Sequence, residues 1–240
     1  MGKRIISQRR GTGSPRYKAP KHKFRGFIKY PGQRNTTMNG CVLDIIRTPA
    51  HSAPMALVEY NLSEELATRV LVPATEGMKV GEEIICGNDA KIVPGNTTSL
   101  EMIPEGVAIF NIEGTPGDGG KFARASGNSA RIISKSKDKV IVMLPSKKQK
   151  TFNPKCRATL GIIAGGGRTD KPIVKAGNKF YKMRAKNKLW PITSGSAMNA
   201  VDHPLGNKRS SRKSKAKPAP RNAPPGRKVG LIRPRRTGKK

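Results

Sequence analysis

The chain has 240 residues and a formal net charge of +33, from 48 Lys and Arg against 15 Asp and Glu. Aromatic residues make up only 5% of it, so we do not expect the whole chain to pack into a hydrophobic core. No apolar run approaches the roughly 18 residues of a membrane-spanning helix, and the three cysteines have neither disulfide nor zinc spacing. We therefore expect an intracellular, soluble protein.

The charge is sorted along the chain. Residues 1–40 carry 11 Lys and Arg and no acid, residues 41–118 carry 4 against 12 acids, and residues 119–240 carry 33 against 3. Basic ends around an acidic centre are typical of a folded body with cationic arms, and neutralising phosphates releases condensed counterions. The pattern predicts nucleic acid as the partner. A membrane surface is disfavoured, because the arms lack an apolar helix face and a lipidation signal.

The first arm, residues 1–40, is expected to lie extended, because Gly and Pro occur too often for a helix. Aromatic residues are interleaved with cations in this arm. Two interpretations stay open: the rings stack on exposed bases while the cations reach phosphates, or the rings anchor the arm on the protein's own domain. The rings are Tyr17, Phe24, Phe27 and Tyr30.

Short apolar runs bounded by turn residues follow from Gly40. They predict an antiparallel barrel of about five strands. The runs are CVLDIIR, APMALVEYNL, RVLVPA, VGEEIICG and EGVAIFNIEG. An OB-type barrel fits them, as do other small barrels, and the net negative charge is unfavourable for binding nucleic acid through the barrel's own face.

A second, basic β unit is predicted at about residues 117–167. The runs ARIISK and KVIVMLP read as a hairpin, and KTFNPKCRATLGIIAGG supplies further strands. Residues 171–188 can include one short helix, which Gly177 and Asn178 weaken. Beyond Asp202 there is no acid, and the low-complexity tail is expected to be either disordered or threaded through anionic surroundings.

Three signals resemble enzyme sites. The stretch GTPGDGGKF fails the phosphate-loop pattern at Thr115 and at Phe122. Gly165–Arg168 is typical either of an anion-binding nest or of a backbone that passes close to RNA, and we favour the second. Asp202 and His203 form the one acid–imidazole pair in apolar surroundings, with Ser194 or Ser196 as nominal nucleophile, and we expect a structural role for it.

No cofactor and no metal site are expected. His22 and His51 lie without ligand spacing. Cys41, Cys86 and Cys156 are expected to be buried, reduced thiols.

Four long motifs closely resemble the universal large-subunit ribosomal protein two family, in its archaeal and eukaryotic form. They are GDGGKFARASGNSARI at 117–132, CRATLGIIAGGGRTDKPIVKAG at 156–177, WPITSGSAMNAVDHP at 190–204 and GRKVGLIRPRRTG at 226–238. The N-terminal GKRIISQRRGTGS also resembles that branch.

The resemblance implies an all-β chain with an OB-type five-stranded barrel followed by an SH3-like barrel and long basic extensions. We assign residues 1–40 to the N-terminal extension, 41–116 to the acidic barrel, 117–190 to the basic barrel, and 191–240 to the C-terminal extension and loop. It also implies a non-enzymatic, cytoplasmic protein of the ribosome, with roles in assembly, subunit association and the architecture around the peptidyl transferase centre and tRNA. Its partners are then large-subunit rRNA, neighbouring ribosomal proteins and the small subunit, and it is not a homo-oligomer.

Two departures from the family pattern lie near His203, which matches the family's conserved histidine. Ser194-Gly195 stands where the family usually has Arg-Gly, and His203-Pro204-Leu205-Gly206-Asn207-Lys208 stands where it usually continues His-Pro-x-Gly-Gly-Gly. Charge and motif together predict the rRNA-contacting residues, which are Arg9, Arg10, Arg16, Lys23, Arg25, Lys121, Arg124, Arg157, Arg168, Lys171, Lys182, Arg184, His203, Lys208, Arg209, Arg227, Lys228, Arg233, Arg235 and Arg236.

Two other hypotheses compete with this one. The first is a protein that coats nucleic acid without fixed geometry, and the second is an acyl-transfer enzyme that uses His203.

Overall fold

The computed structural model describes residues 2–32, 37–61, 67–207 and 218–232. The chain divides into two compact units, which we describe separately. The sheet unit comprises residues 21–172, and the terminal unit comprises residues 1–20 together with 173–240.

The described part of the sheet unit forms β1 Met38–Ile46, β2 Met55–Asn61, β3 Ala67–Pro73, β4 Glu83–Cys86, β5 Thr97–Ser99, β6 Ala108–Phe110, β7 Ala130–Lys135, β8 Val140–Met143, β9 Gln149–Phe152 and β10 Arg157–Leu160. These strands form one ten-stranded sheet in the order β3-β2-β1-β4-β5-β10-β6-β7-β8-β9. The neighbours are antiparallel except β4 and β5, which are parallel. The prediction of a predominantly β chain is confirmed.

Strands β1 to β4 come from the first four predicted runs. In β2, Ala56, Val58 and Tyr60 are buried in one cluster, because alternate positions of a strand face the same side of the sheet. Met55 faces the other side and is buried in a different cluster. The Tyr60 ring covers Gly40, its partner across the strand pair. A Cβ atom at Gly40 would lie 2.6 Å from a ring carbon of Tyr60, so this packing requires glycine.

The fifth predicted run was assigned to the wrong group of strands. Within the described residues, its strand β6 pairs with β7 and β10 and not with β1 to β4. The neighbour of β4 is instead β5, a Thr-Thr-Ser segment. Its three polar residues are all buried, so β5 lacks the apolar alternation that identifies strands in a sequence.

The predicted hairpin is confirmed as β7 and β8, and the run after it supplies β9 and β10. Buried side chains such as Leu100, Ile109, Val142 and Leu160 form the core beneath these strands. Full burial of one such side chain contributes about 1.5–3 kcal/mol.

A third apolar cluster joins the two halves of the sheet. Ile28, Met55, Leu71, Phe110 and Ile163 pack together in it. Ile28 also forms a bridge to Leu71. The end of the basic arm is therefore part of the sheet unit.

The terminal unit contains α1 Ile6–Gly11 and α2 Ala176–Arg184, with a 3-10 turn at Pro15–Tyr17. Helix α2 confirms the predicted short helix, whereas α1 shows that the expectation of an extended arm is wrong for these residues. The side-chain Oε1 of Gln8 accepts a hydrogen bond from the Ile5 amide at 3.0 Å and so caps the start of α1. Among the described residues, no helix is long and apolar enough to cross a membrane.

In its described part, the terminal unit buries no apolar side chain other than that of Pro20. Hydrogen bonds hold its segments together: the Lys3 amide donates to the Val201 carbonyl at 2.8 Å. The side-chain amide of Asn187 donates to the Pro15 and Lys18 carbonyls at 3.2 and 2.9 Å. Hydrogen bonds therefore hold the segments of the terminal unit together, whereas buried apolar side chains hold the sheet unit together.

All three cysteines are free thiols. Cys86 and Cys156 are buried, and burial raises the pKa of each to about 11. Cys41 is only partly buried. The expectation of inert, buried thiols is confirmed for the first two.

Candidate nucleic-acid interface

Most of the predicted RNA-contacting residues are exposed. Fifteen of the twenty lie in the described part of the chain, and twelve of these are exposed. The exposed ones are Arg9, Arg10, Arg16, Lys23, Arg25, Lys121, Arg168, Lys171, Lys182, Arg184, Arg227 and Lys228. Lys208, Arg209, Arg233, Arg235 and Arg236 lie outside the described residues, as does most of the predicted low-complexity tail.

The positive charge is concentrated in the terminal unit. Its residues include 26 Lys and Arg against a single acid, Asp202, whereas the sheet unit has 22 against 14 acids. Because the counterion-release contribution grows with the number of neutralised phosphates, the terminal unit is the stronger candidate for phosphate binding.

Arg157 is the exception among the predicted contacts, because its guanidinium is buried. Nε and Nη2 donate to Oε1 of Glu113 at 3.2 and 2.8 Å, and Nη1 donates to the Pro31 carbonyl at 2.9 Å. Burial opposes the charged form, but the hydrogen bonds and charge of Glu113 outweigh it and raise the pKa of Arg157. All three guanidinium nitrogens of Arg157 are hydrogen-bonded inside the sheet unit, so Arg157 does not belong to the candidate interface.

Tyr30 lies beside this ion pair. Its contacts show which of the two interpretations, stacking on bases or anchoring the arm, applies to this ring. Its hydroxyl donates to the Asn111 carbonyl at 2.8 Å and shares a hydrogen bond with Thr159 Oγ1 at 2.7 Å. Burial raises the pKa of Tyr30 well above its ordinary value. Tyr30 therefore anchors the arm, whereas Phe27 is 80% exposed and keeps its ring face available for stacking.

The loop at residues 113–121, which superficially resembles a phosphate loop, is filled by its own carboxylates. Asp118 accepts hydrogen bonds from the amides of Gly114, Thr115 and Gly120 at 2.9–3.1 Å. Burial opposes ionisation, but the hydrogen bonds from Lys121 and from these amides hold the pKa of Asp118 below its usual range.

The Glu113 carboxylate occupies the rest of this loop. It accepts hydrogen bonds from the amides of Gly117 and Gly119 at 3.3 and 3.2 Å. These amides are therefore not free to bind a phosphate, in agreement with the failed motif. Nearby, Arg124 is partly buried and donates from Nη1 to the Gly120 carbonyl at 2.9 Å.

Within the glycine run at residues 165–167, Gly166 makes a close backbone contact inside the protein. The backbone at Gly166 passes so close to Gly127 that a Cβ atom on Gly127 would collide with the Gly166 Cα. Arg168 Nε donates to Ser126 Oγ at 2.9 Å and its side chain is exposed. Close packing of the two backbones thus explains Gly127, and a Cβ atom on Gly166 would itself lie a tight 3.3 Å from the Gly127 Cα.

His203 is held by its own loop in the terminal unit. The Leu205 amide donates to Nδ1 at 3.1 Å, which places the ring proton of the neutral imidazole on Nε2. The ring lies against Gly195, where an added Cβ would collide with it. Gly195 is therefore required by the position of His203, and Nε2–H is the group that the loop leaves to donate.

Two aromatic–cation contacts were not predicted from the sequence. Lys150 Nζ lies 3.9 Å from the ring centre of Phe122, and Lys179 Nζ lies 5.7 Å from that of Trp190. The available signal for the second contact is the chain's single Trp, which lies 11 residues after Lys179. The described residues contain no group of three or more side chains able to hold a metal ion.

Comparison with protein-family models finds two matches. The model described as "Ribosomal Proteins L2, RNA binding N-terminal domain" matches residues 4–86, and "Ribosomal Proteins L2, C-terminal domain" matches residues 93–223.

Curated relatives match over their full length. A protein from Methanococcoides burtonii named "Large ribosomal subunit protein uL2" is 50% identical over 241 residues, with all of both chains covered. Proteins of the same name are 50% identical in Archaeoglobus fulgidus, with 99% of each chain covered, and 49% identical in Haloarcula marismortui, with 100% of this chain and 98% of that one covered. The resemblance seen in the sequence motifs is confirmed, and the chain belongs to the ribosomal protein L2 (uL2) family.

Proposed function

We propose that this protein is a structural constituent of the large ribosomal subunit that binds large-subunit rRNA. The observation that carries the proposal is the identity of about 50% along the whole chain to proteins named for that subunit. The protein is non-enzymatic and acts in translation, in the ribosomes of the cytoplasm. His203 is accordingly a structural and hydrogen-bonding residue, with no acyl-transfer role.

Binding rests on the terminal unit and on the exposed cations of the sheet unit. In its described part the terminal unit buries no apolar side chain other than that of Pro20, and it carries 26 Lys and Arg. RNA phosphates neutralise this charge and supply the contacts that order the unit further. The sheet unit, with its own core, anchors the end of the basic arm at Ile28 and Tyr30.

Within residues 4–86, which match the RNA-binding family model, we assign the phosphate contacts to the basic arm at 1–40. Residues 41–86 carry 3 Lys and Arg against 7 acids, and such a surface repels phosphate. This assignment agrees with the expectation that the acidic barrel does not bind nucleic acid through its own face.

The barrels expected from the resemblance are part of the proposal. The cluster around Val42, Val58 and Tyr60 fits an OB-type barrel, and the cluster around Leu100, Ile109 and Val142 fits an SH3-like barrel. These two clusters favour a boundary between Cys86 and Leu100 over the one assigned near residue 116.

The remaining parts of the proposal rest on the resemblance. They are contacts with neighbouring ribosomal proteins, a contact with the small subunit, support of assembly, and a place for the His203 loop near the peptidyl transferase centre and tRNA. We propose one copy per subunit, without homo-oligomerisation.

Sedimentation tests the proposal. A tagged full-length chain, produced in its source cells, is expected to sediment with large subunits and to remain there after a high-salt wash. A coating protein held by charge alone would leave under the same wash, because its affinity falls steeply with salt. Release of the tagged chain, or its even distribution over all cellular RNA, would refute the proposal.

A further inference from the structure

The terminal unit contains a cavity of about 430 Å³ with aromatic walls. It lies where the turn Pro15–Tyr17 meets helix α2 and the segment that follows it. Tyr17, Phe180 and Trp190 line it. Its volume is within the roughly 300–1,000 Å³ of small-ligand pockets.

The rim of this cavity is cationic. Arg16, Arg184 and Lys188 line it beside the three rings, and none of its described lining residues is acidic. Asn187 donates its side-chain amide to the Pro15 and Lys18 carbonyls and thereby ties the N-terminal turn to the end of α2. The wall is thus held in place by hydrogen bonds before any ligand arrives.

The three rings do not form a hydrophobic core. Phe180 is 40% exposed, and helix α2 has no buried residue. Aromatic faces beside guanidinium groups bind groups that are flat and attached to an anion. The chain's own basic tails lack that chemistry, because residues 203–240 contain no acid.

We propose that this cavity accepts the base of an unpaired rRNA nucleotide, which stacks on Trp190, Phe180 and Tyr17 while its phosphates contact Arg16 and Arg184. This inference rests on the proposed function and makes it specific. It assigns to the terminal unit a defined nucleotide contact in addition to general charge neutralisation.

Trp190 makes the test site-specific, because it is the only Trp in the chain. The full-length protein is titrated with an oligouridylate and with an abasic oligonucleotide of equal length and charge. Binding of both is followed by anisotropy of a label on the oligonucleotide, and stacking by quenching of Trp190 fluorescence. We expect both to bind, the oligouridylate more tightly, and only the oligouridylate to quench.

Variants of two adjacent residues on α2 give a matched comparison. Phe180→Leu keeps an apolar side chain without a ring, and Phe180→Tyr restores the ring. Phe180→Leu is expected to lower the preference for the base-bearing oligonucleotide by about 5- to 150-fold, the range for loss of one stacked base, and Phe180→Tyr to regain it. Tyr181 is 67% exposed and does not line the cavity, although its ring lies edge-to-face against that of Phe180 with the ring centres 5.5 Å apart. Tyr181→Leu removes this contact and keeps the Phe180 ring, so it is expected to leave the preference unchanged.

The outcomes separate this inference from the proposed function. If neither oligonucleotide binds, the proposed RNA binding fails. If both bind equally and Trp190 is not quenched, or if Tyr181→Leu acts like Phe180→Leu, only the cavity assignment fails. Quenching by AMP alone at the concentrations that suffice for RNA would also overturn it, in favour of a free nucleotide.

Assembled subunits give a second readout. In large subunits that carry Phe180→Leu, one unpaired rRNA base is expected to gain reactivity toward dimethyl sulfate or a carbodiimide. Subunits with Tyr181→Leu are expected to match the wild type. Unchanged reactivity at every base in the Phe180→Leu subunits would overturn the assignment.

Discussion

The sheet unit and the terminal unit are held together by different interactions. The sheet unit has three clusters of buried apolar side chains and contains 14 of the 15 acids. The terminal unit buries no apolar side chain other than that of Pro20 in its described part, and it has only one acid. The first gains its stability from its own core, whereas the second depends on hydrogen bonds and on an anionic partner.

The buried Arg157–Glu113 pair shows how differently charge is used in the two units. In the sheet unit an arginine side chain is 9% exposed and satisfied by a neighbouring carboxylate, whereas in the terminal unit the described arginines are exposed. The residue type alone therefore does not identify an RNA contact.

The largest effect is expected from Glu113→Gln. The change leaves the buried Arg157 charge without its counterion and weakens the bonds to the loop amides. Loss of one partner of a buried pair costs about 3–5 kcal/mol, which we expect to find as a lower free energy of unfolding in urea, followed by far-UV circular dichroism.

The exposed pair Arg69–Glu59 provides the control for this variant. It has a similarly short distance of 2.7 Å, but its side chains are 65% and 28% exposed. Glu59→Gln is expected to cost less than about 1 kcal/mol. Equal losses in the two variants would mean that the sheet unit does not depend on its buried charges.

The next largest effect is expected from Leu100→Ala. Leu100 is fully buried in the sheet unit, so the substitution leaves a cavity and costs about 3 kcal/mol in the same urea assay. Val174→Ala, at a residue of the terminal unit that is 85% exposed, is expected to change stability by less than about 0.5 kcal/mol. A large loss with Val174→Ala would show that the terminal unit has a core of its own.

A smaller effect is expected from Tyr30→Phe. The substitution keeps the ring and removes the hydroxyl that bonds to Asn111 and Thr159. We expect a loss of about 1–2 kcal/mol in the free energy of unfolding, and no loss with Tyr181→Phe. An unchanged stability would show that the arm's anchor does not need the hydroxyl.

The smallest effect on stability, and a clear one on binding, is expected from neutralising two cations of α1. Arg9→Gln with Arg10→Gln should reduce the slope of log affinity for rRNA against log salt by about 1.4–1.8, with unfolding unaffected. Lys79→Gln with Lys91→Gln removes the same charge from two exposed residues of the acidic stretch and should leave the slope unchanged. Equal changes in both variants would contradict the assignment of the phosphate contacts to the arm.

The sequence predicts those parts of the fold that follow an apolar pattern. The hairpin β7–β8 is predictable because two short apolar runs, ARIISK and KVIVMLP, flank the turn residues 136–138. Strand β5 was missed because Thr97, Thr98 and Ser99 are polar, although the sheet buries them. Helix α1 was missed because its stability depends on a cap from Gln8, not on an apolar face.

The site shows the same limit. Charge identified a set of cations that are mostly exposed, but it did not separate Arg157, whose counterion lies 44 residues earlier in the chain. The charge pattern also did not predict the aromatic cavity, because Tyr17 and Trp190 are far apart in sequence. Such contacts depend on tertiary pairing, which composition and spacing do not report.

The anchor of the basic arm also has a consequence for protein synthesis. Tyr30 and Pro31 leave the ribosome early, but their partners Asn111, Arg157 and Thr159 follow 81, 126 and 129 residues later. At roughly 5–20 residues per second, the last of these appears about 6–26 s after the arm. During that interval the cationic arm is outside the ribosome, but the residues that bind Tyr30 and Pro31 have not yet been synthesised. We therefore expect unintended contacts of the nascent chain with RNA to be most frequent before β10 has been made.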